Sequence, residues 1–395
     1  MTMPLKPNSL IFDPWNGSGT TTQVANQLGH DAFGLDLNPA MVIVAKAGML
    51  SPLEEPSLLA IAKLLAEQVG SVSVCATDNT VDPLLTWLTP LSVNYIRSIE
   101  NAINHGFISN NRYIKLDTNE ALDRVAPIAA FFYVALFGTV RRLLGQFIPT
   151  NPTWIKKPRD SANRKRPSGK AILDTFVLEV QRLIDKKIWH REKDPKNKNS
   201  IHLKIGNAEN IPLKDETVDA IISSPPYCTR IDYAVATSIE LAILRFDLHE
   251  FDTLRRNLTG TSTVERVTKK TDARWGKTCA TFLDQLYHHP SYASKTYYFK
   301  NHLQYFESLA HSIHEIRRTL KPKGHCVLVI QDSHYKEIHN DVPNIAIEMA
   351  AFSGLKLVRR ENFSAARSMV GINGRAQKYL RHRDTVESVL CFQPS

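Results

Sequence analysis

Ser224-Pro225-Pro226-Tyr227 is the stretch of this chain whose residue types and order are suited to chemistry. The apolar run that delivers it, Val218 to Ile222, reads as a buried strand, so the four residues stand at a strand's carboxyl end. Two prolines fix φ and remove two backbone donors, which holds the neighbouring carbonyls in place and leaves them free to accept from an amino group. Ser224 adds an acceptor and can also donate toward a ring nitrogen, and Tyr227 offers a flat face for stacking. A planar, amine-bearing ring is what such a turn would hold. An ordinary exit turn could have the same composition, so the reading depends on what lies beside it.

A second constellation lies near the N-terminus. Leu10-Ile11-Phe12 runs into Asp13-Pro14-Trp15-Asn16-Gly17-Ser18-Gly19-Thr20-Thr21 and then into a helical segment whose Val24 and Leu28 fall one turn apart before Gly29, a C′ residue. The pattern is strand, glycine loop, helix. Gly17 and Gly19 let the backbone approach a ligand, and Thr20 and Thr21 are placed to cap the helix and present hydroxyls and amide N–H groups. A second strand, Ala32 to Leu35, ends on Asp36 roughly twenty residues after the loop begins, where an acid can accept from ribose hydroxyls. Asn38 reads as an N-cap and Pro39 as the first residue of a helix to about Ala47, with Gly48 beyond. Helix capping near Pro39 is the plainer role for Asp36.

Both ends should meet in one α/β sheet, with the glycine loop and the Ser-Pro-Pro-Tyr turn side by side at the carboxyl ends of strands, where the sheet order reverses. Between them lies an insertion from about Ser51 to Ser200, helix-rich by periodicity as far as Phe147 and then Pro-rich and basic. A smaller excursion, about Cys228 to Ser294, precedes a helix carrying Leu303, Phe306, Ile313, Ile316 and Leu320.

Composition narrows the class. The 395 residues, 43% of them hydrophobic, suffice for one large core or two smaller ones. The cysteines, Cys75, Cys228, Cys279, Cys326 and Cys391, show no metal-ligand spacing, so reduced thiols in a cytoplasmic protein are expected. Cys228 follows Tyr227 and is read as a bland neighbour. His311 and His314 share a helix face without a third ligand, and no metal is expected. Neither a signal peptide nor a membrane span is expected: the most apolar segment, Pro127 to Val140, falls short of the about twenty residues a span requires and reads as a buried helix.

The net charge of +10 and pI of about 9.3 suit a polyanionic partner. The segment 156–170 holds Lys156, Lys157, Arg159, Arg164, Lys165, Arg166 and Lys170 against one acid, Asp160, a net +6. Two readings are open: a solvated linker, or a phosphate-binding loop that orders on nucleic acid. Further basic stretches run through Arg255, Arg256, Arg266, Lys269, Lys270, Arg274 and Lys277, and through Arg359, Arg360, Arg367, Arg375, Lys378, Arg381 and Arg383, where Gly371 and Gly374 mark a loop between strands.

Taken together, the loop from Asp13 to Thr21 and the tetrapeptide Ser224 to Tyr227 resemble the two motifs of the S-adenosylmethionine-dependent DNA amino-methyltransferases, which modify the exocyclic amine of cytosine or adenine. The resemblance extends to Gly206-Asn207-Ala208, to Leu320-Lys321-Pro322-Lys323-Gly324 and to a closing strand around Val386 to Phe392, about half the chain in separated blocks. Trp15 stands where the family usually has Phe, and Asn207 where it usually has Asp. A further cofactor-binding helix is expected before Asp13 or after the catalytic motif, and Lys6-Pro7 is what matches of it.

The resemblance implies a Rossmann-like class I methyltransferase core, a doubly wound and mostly parallel sheet with a C-terminal antiparallel hairpin and a helical insertion. The implied division is 1–50 and 201–227 for the cofactor and catalytic parts, 51–200 for a helix-rich insertion that is the candidate for target recognition, 228–297 for a second insertion that could touch DNA, and 298–395 for the rest of the core. S-adenosylmethionine would be held by Asp13, Pro14, Trp15, Asn16, Gly17, Ser18, Gly19, Thr20, Thr21, Asp36, Leu37, Asn38, Asn207 and Ala208, and catalysis would fall to Ser224, Pro225, Pro226 and Tyr227. Double-stranded DNA would meet Lys156, Lys157, Arg164, Lys165, Arg166, Arg255, Arg256, Lys269 and Lys270, and a cognate restriction endonuclease is a further implied partner.

A serine opening the tetrapeptide is more typical of the family's cytosine enzymes, so N4 of cytosine is the expected target. N6 of adenine, an RNA amine and a non-catalytic cofactor-sensing DNA-binding module stay open as alternatives.

Overall fold

The computed structural model describes residues 5–71, 81–149, 154–187, 199–228, 231–264, 270–365 and 385–395. Seven strands form one sheet: β1 Leu10–Asp13, β2 Asp31–Asp36, β3 Ile201–Ile205, β4 Val218–Ser223, β5 Leu320–Gln331, β6 Leu355–Ala365 and β7 Thr385–Pro394. Their order is β3-β2-β1-β4-β5-β7-β6. The first five are parallel, and β7 runs antiparallel to both of its neighbours. This is the mostly parallel, doubly wound sheet with a closing antiparallel hairpin that the resemblance implies. The order reverses between β1 and β4, which puts the glycine loop and the Ser-Pro-Pro-Tyr turn at adjacent carboxyl ends.

Helix α1, Thr20–Gln27, departs from expectation in two ways. Its N-cap is Gly19 at φ 86°, so Thr20 and Thr21 lie inside the helix and cap nothing. Val24 and Leu28 face solvent, 40% and 71% exposed, while Thr22, Gln23, Ala25 and Asn26 are buried. A polar face can turn inward because its groups are paired: the Thr22 hydroxyl donates to Asn16 Oδ1 and the Gly19 carbonyl, and Gln23 Nε2 donates to the Ala45 carbonyl. Helix α2, Pro39–Ala47, starts where Asn38 and Pro39 place it, with Asn38 Oδ1 accepting from Ala40 N.

Packed on α2 is a helical layer: α3 Glu55–Gly70, α4 Pro90–Phe107, α5 Asn119–Asp123, α6 Pro127–Leu143 and α7 Gly169–Lys186. Helix α6 spans the apolar segment, and Phe131, Phe132 and Tyr133 are wholly buried against Phe176 of α7 and its neighbours. Helix α7 lies beyond the span for which periodicity predicts helices, because the basic and proline-rich run that precedes it masks its start. Among the described residues no helix is long and apolar enough to cross a membrane.

The second excursion folds as α8 Tyr233–Ala236, α9 Ser238–Ile243 and α10 Leu248–Asn257, followed within the same excursion by a helix at Gly276–His288. Buried Arg97 of α4 ties it to the helical layer, pairing with Asp82 and Glu100 while donating to the carbonyls of Ala242 and Ile243. Removing that guanidinium would leave Asp82 without its cation, the costly way to break an ion pair, while Glu100 would keep Arg245 and the Tyr113 hydroxyl.

On the other face of the sheet pack α11 Gly276–His288, α12 Phe299–Thr319 and α13 Val342–Phe352, around Phe282, Phe306, Ile313 and Ile345. Leu320, expected at the end of α12, instead opens β5.

Candidate functional site

A cavity of about 270 Å³ opens at the β1–β4 junction. Its wall brings together Pro14, Trp15, Gly17, Asp36, Leu37, Asn38, Asn207, Ala208 and all of Ser224 to Tyr227. The other loop residues, Asp13, Asn16, Ser18, Gly19, Thr20 and Thr21, stand behind or beside that wall.

Those residues build the loop. The Asn16 amide N–H donates to the Leu35 carbonyl, and the Asn16 side chain fills the space a Cβ on Gly34 would need, 2.5 Å from where that carbon would stand. Gly19 needs its positive φ, and an added Cβ would meet Ala45 Cβ at 2.8 Å, so this glycine serves helix packing. Gly17, at φ 50° with open space beside it, is the one that bares backbone to the cavity. Asp13 is buried, and burial raises its carboxyl above the usual range. It accepts from the Ser223 hydroxyl at 2.5 Å and from Trp15 N at 3.1 Å, which joins the end of β4 to the start of the loop.

Asp36 is the cavity's acid. Gly17 N donates to its Oδ2 at 3.0 Å and Asn38 N to its Oδ1 at 2.9 Å, so both oxygens are oriented by backbone. Burial outweighs those two bonds and lifts its carboxyl to about 6. Asn38 reaches from here to the second excursion, where its Nδ2 donates to Thr237 Oγ1 at 2.7 Å. Across the cavity, Asn207 Oδ1 is taken by the Glu209 N–H in a local turn, which leaves Nδ2 as the side chain's free polar group; Asn207 lines both this cavity and the neighbouring polar one.

The Ser-Pro-Pro-Tyr turn is held on three sides. Tyr305 Oη donates to the Pro226 carbonyl at 2.9 Å, Tyr227 N donates to Tyr233 Oη at 3.3 Å, and Tyr227 Oη donates to Glu387 Oε1 at 3.1 Å. Among the described residues no donor to the Pro225 carbonyl is seen, which leaves it available as an acceptor. The Ser224 hydroxyl donates its one proton to the Val329 carbonyl on β5, 3.0 Å away. Its oxygen lone pairs stay available, and in this conformation its proton is engaged by that carbonyl. Tyr227 is pushed up to about 12, by burial and then by Glu387, and stays a neutral donor. Burial likewise lifts the Cys228 thiol to about 12, so it is no thiolate nucleophile.

Sequence reasoning misses Met41, Tyr233, Ala236, Thr237 and Asn257 to Thr259, which complete the wall. Most come from the second excursion, whose approach to the site is a tertiary fact without a local motif. Among the described residues no group of three or more His, Cys, Asp or Glu side chains could hold a metal ion.

The basic segment is built into the structure rather than loosely tethered. Lys156 N donates to the Phe147 carbonyl, Trp87 Nε1 to the Lys156 carbonyl, Lys165 N to the Trp87 carbonyl and Thr89 N to the Lys165 carbonyl. Lys156, Lys157 and Arg166 are exposed, and Arg164 and Lys165 are half-buried. Arg255 is engaged by Asp232 and Ser262, whereas Arg256 is exposed on a neighbouring polar cavity of about 170 Å³. Lys270 is exposed; Lys269, like Arg266, Arg367, Gly371, Gly374, Arg375, Lys378, Arg381, Arg383 and Cys75, lies outside the described residues.

Residues 2–47 match a protein-family model described as DNA methylase. Type II methyltransferase M.BsoBI of Geobacillus stearothermophilus is 24% identical over 263 residues, which are 64% of this chain and 50% of that protein. The chain thus spans about half the length of that curated relative. Among solved structures, a SAM-dependent methyltransferase from Methanosarcina mazei aligns with TM-score 0.34 and 8% identity over 99% of this chain and 94% of that one. A TehB-like SAM-dependent methyltransferase from Corynebacterium glutamicum aligns with TM-score 0.29 and 8% identity over 99% and 83%. In the glycine loop, the Ser-Pro-Pro-Tyr turn, the family match and the curated relative alike, this chain is similar to the DNA amino-methyltransferases.

Proposed function

We propose that this protein transfers a methyl group from S-adenosylmethionine to an exocyclic amine of double-stranded DNA, with N4 of cytosine as the target. The observation that carries the reading is the shared cavity, in which Gly17 and Asp36 of the cofactor half face Ser224 to Tyr227 of the catalytic half.

The residues present fit the cofactor. Asp36 keeps lone pairs for ribose hydroxyls while its two backbone donors fix its plane, Leu37, Met41 and Ala208 give an apolar wall for an adenine, and Asn207 Nδ2 is a donor beside it. When bound, S-adenosylmethionine supplies an electrophilic sulfonium methyl.

The chain's own part is to make a poor nucleophile better. An aromatic amine's lone pair is delocalised into its ring. The Ser224 oxygen and the Pro225 carbonyl accept its two hydrogens, draw them from the ring plane and free the lone pair, a contribution of orientation and fixed dipoles. Tyr227 stacks on the base once it leaves the duplex, which it must because the amine is otherwise paired. Serine at the head of the turn supports cytosine as the target through the family resemblance. Exposed Lys156, Lys157, Arg166, Arg256 and Lys270 suit the phosphate backbone.

Calorimetry of the wild-type chain with S-adenosylmethionine, with and without duplex DNA, tests the first half of this reading. Saturable binding is expected. No binding with DNA present would end it.

A further inference from the structure

The catalytic turn leans on residues that belong to neither motif. Glu387 lies on β7, opposite Gln331 of β5 and Phe363 of β6, where the closing antiparallel hairpin meets the parallel sheet. From there its carboxylate accepts the Tyr227 hydroxyl at 3.1 Å, across 160 residues of chain. The other end of Tyr227 is fixed by its backbone N–H on Tyr233 Oη, and the preceding carbonyl, of Pro226, by Tyr305 Oη. With the backbone pinned at two points, the hydroxyl contact is what sets the rotation of the ring about its side-chain bonds. Tyr227 and Glu387 are both half-buried, so this charge-assisted bond is only partly screened by water.

Building on the methyltransferase reading above, we propose that Glu387 is a positioning residue for base stacking: by accepting the Tyr227 hydroxyl it presents the ring face at the angle a flipped base requires. It does not touch the base, and it acts only through Tyr227. A phenylalanine at position 227 would stack without this control. The closing hairpin thereby takes part in the active site, although neither the glycine loop nor the Ser-Pro-Pro-Tyr turn lies on it.

The test is a double-mutant cycle of Glu387→Ala and Tyr227→Phe, read by methyl transfer to duplex DNA and by denaturant unfolding. Each single variant should lose about tenfold in kcat/KM for DNA, the scale of one hydrogen bond to a charged group. The double variant should lose no more than either single one. Glu387→Gln, whose amide oxygen still accepts, should recover most of the activity, and cofactor affinity should hold throughout. Losses that multiply in the double variant, or wild-type transfer by Glu387→Ala, would overturn the proposal. So would coupling seen in unfolding alone, because the bond would then be purely structural. A wild-type chain that binds DNA but transfers no methyl group would sink the methyltransferase reading itself and the positioning role with it.

Discussion

The Ser223 hydroxyl donates to the Asp13 carboxylate at 2.5 Å, and this one bond joins the last residue of β4 to the last residue of β1 at the point where the sheet order reverses. The catalytic turn starts one residue after Ser223 and the glycine loop one residue after Asp13. The two halves of the site are therefore registered to each other before any ligand arrives.

Ser223→Ala should cost about 1 to 3 kcal/mol of stability, because it leaves a buried acceptor short of a partner. Transfer should fall more than cofactor binding, since the turn loses its registration to the loop. Denaturant unfolding and single-turnover kinetics would measure both. Equal loss in the two activities would mean that the bond serves folding only.

Asp36 sets a pH dependence. Its carboxyl is raised from 3.8 to about 6 in the folded chain, so protonation favours the folded state at low pH and that contribution fades as pH rises from 3.8 toward about 6. Cofactor affinity should run the other way, because only the ionised form accepts two hydroxyls freely. Calorimetry across a pH series should show affinity rising through about pH 6 and then levelling. Asp36→Asn should be weaker and flat, and a flat wild-type profile would remove Asp36 from the cofactor site.

Much of this site is legible in the sequence because its chemistry is local. A strand, a glycine loop and an acid about twenty residues on specify Gly17 and Asp36 without tertiary information, and two prolines after an apolar run specify the catalytic turn. The rest depends on distant contacts. Tyr305, Tyr233 and Glu387 reach the turn from α12, α8 and β7; Glu387 lies in the closing strand that the resemblance marks, but no local pattern shows that any of the three touches the turn. Helix α1 exposes Val24 and Leu28 for a related reason: Asn16 of the loop and the Ala45 carbonyl of α2 supply partners that let Thr22 and Gln23 be buried instead.

The engaged proton of Ser224 has a kinetic consequence. On the proposed reading, a hydroxyl that only accepts would activate the amine without telling one ring nitrogen from another. Ser224→Ala should lower transfer by roughly tenfold, the scale of one hydrogen bond near a developing charge, while the identity of the methylated base stays the same. A switch of base in this variant would show that Ser224 discriminates directly.

Neutralising Lys156, Lys157, Arg164, Lys165 and Arg166 together should weaken DNA binding and flatten its salt dependence, by about 0.9 of a logarithmic unit of slope for each phosphate no longer neutralised. Sequence preference should persist, since phosphate contacts carry no sequence information. Fluorescence anisotropy over a salt series measures the slope, and an unchanged slope would place the DNA elsewhere.

The most direct measurement incubates the wild-type chain with S-adenosylmethionine and duplex DNA, digests the DNA to nucleosides and identifies the product by mass spectrometry. N4-methylcytosine is the expected product. N6-methyladenine as the sole product would keep the amine chemistry and reverse the base, whereas 5-methylcytosine would contradict the account outright, because carbon methylation needs a covalent nucleophile and the thiol beside the turn, Cys228, is held protonated.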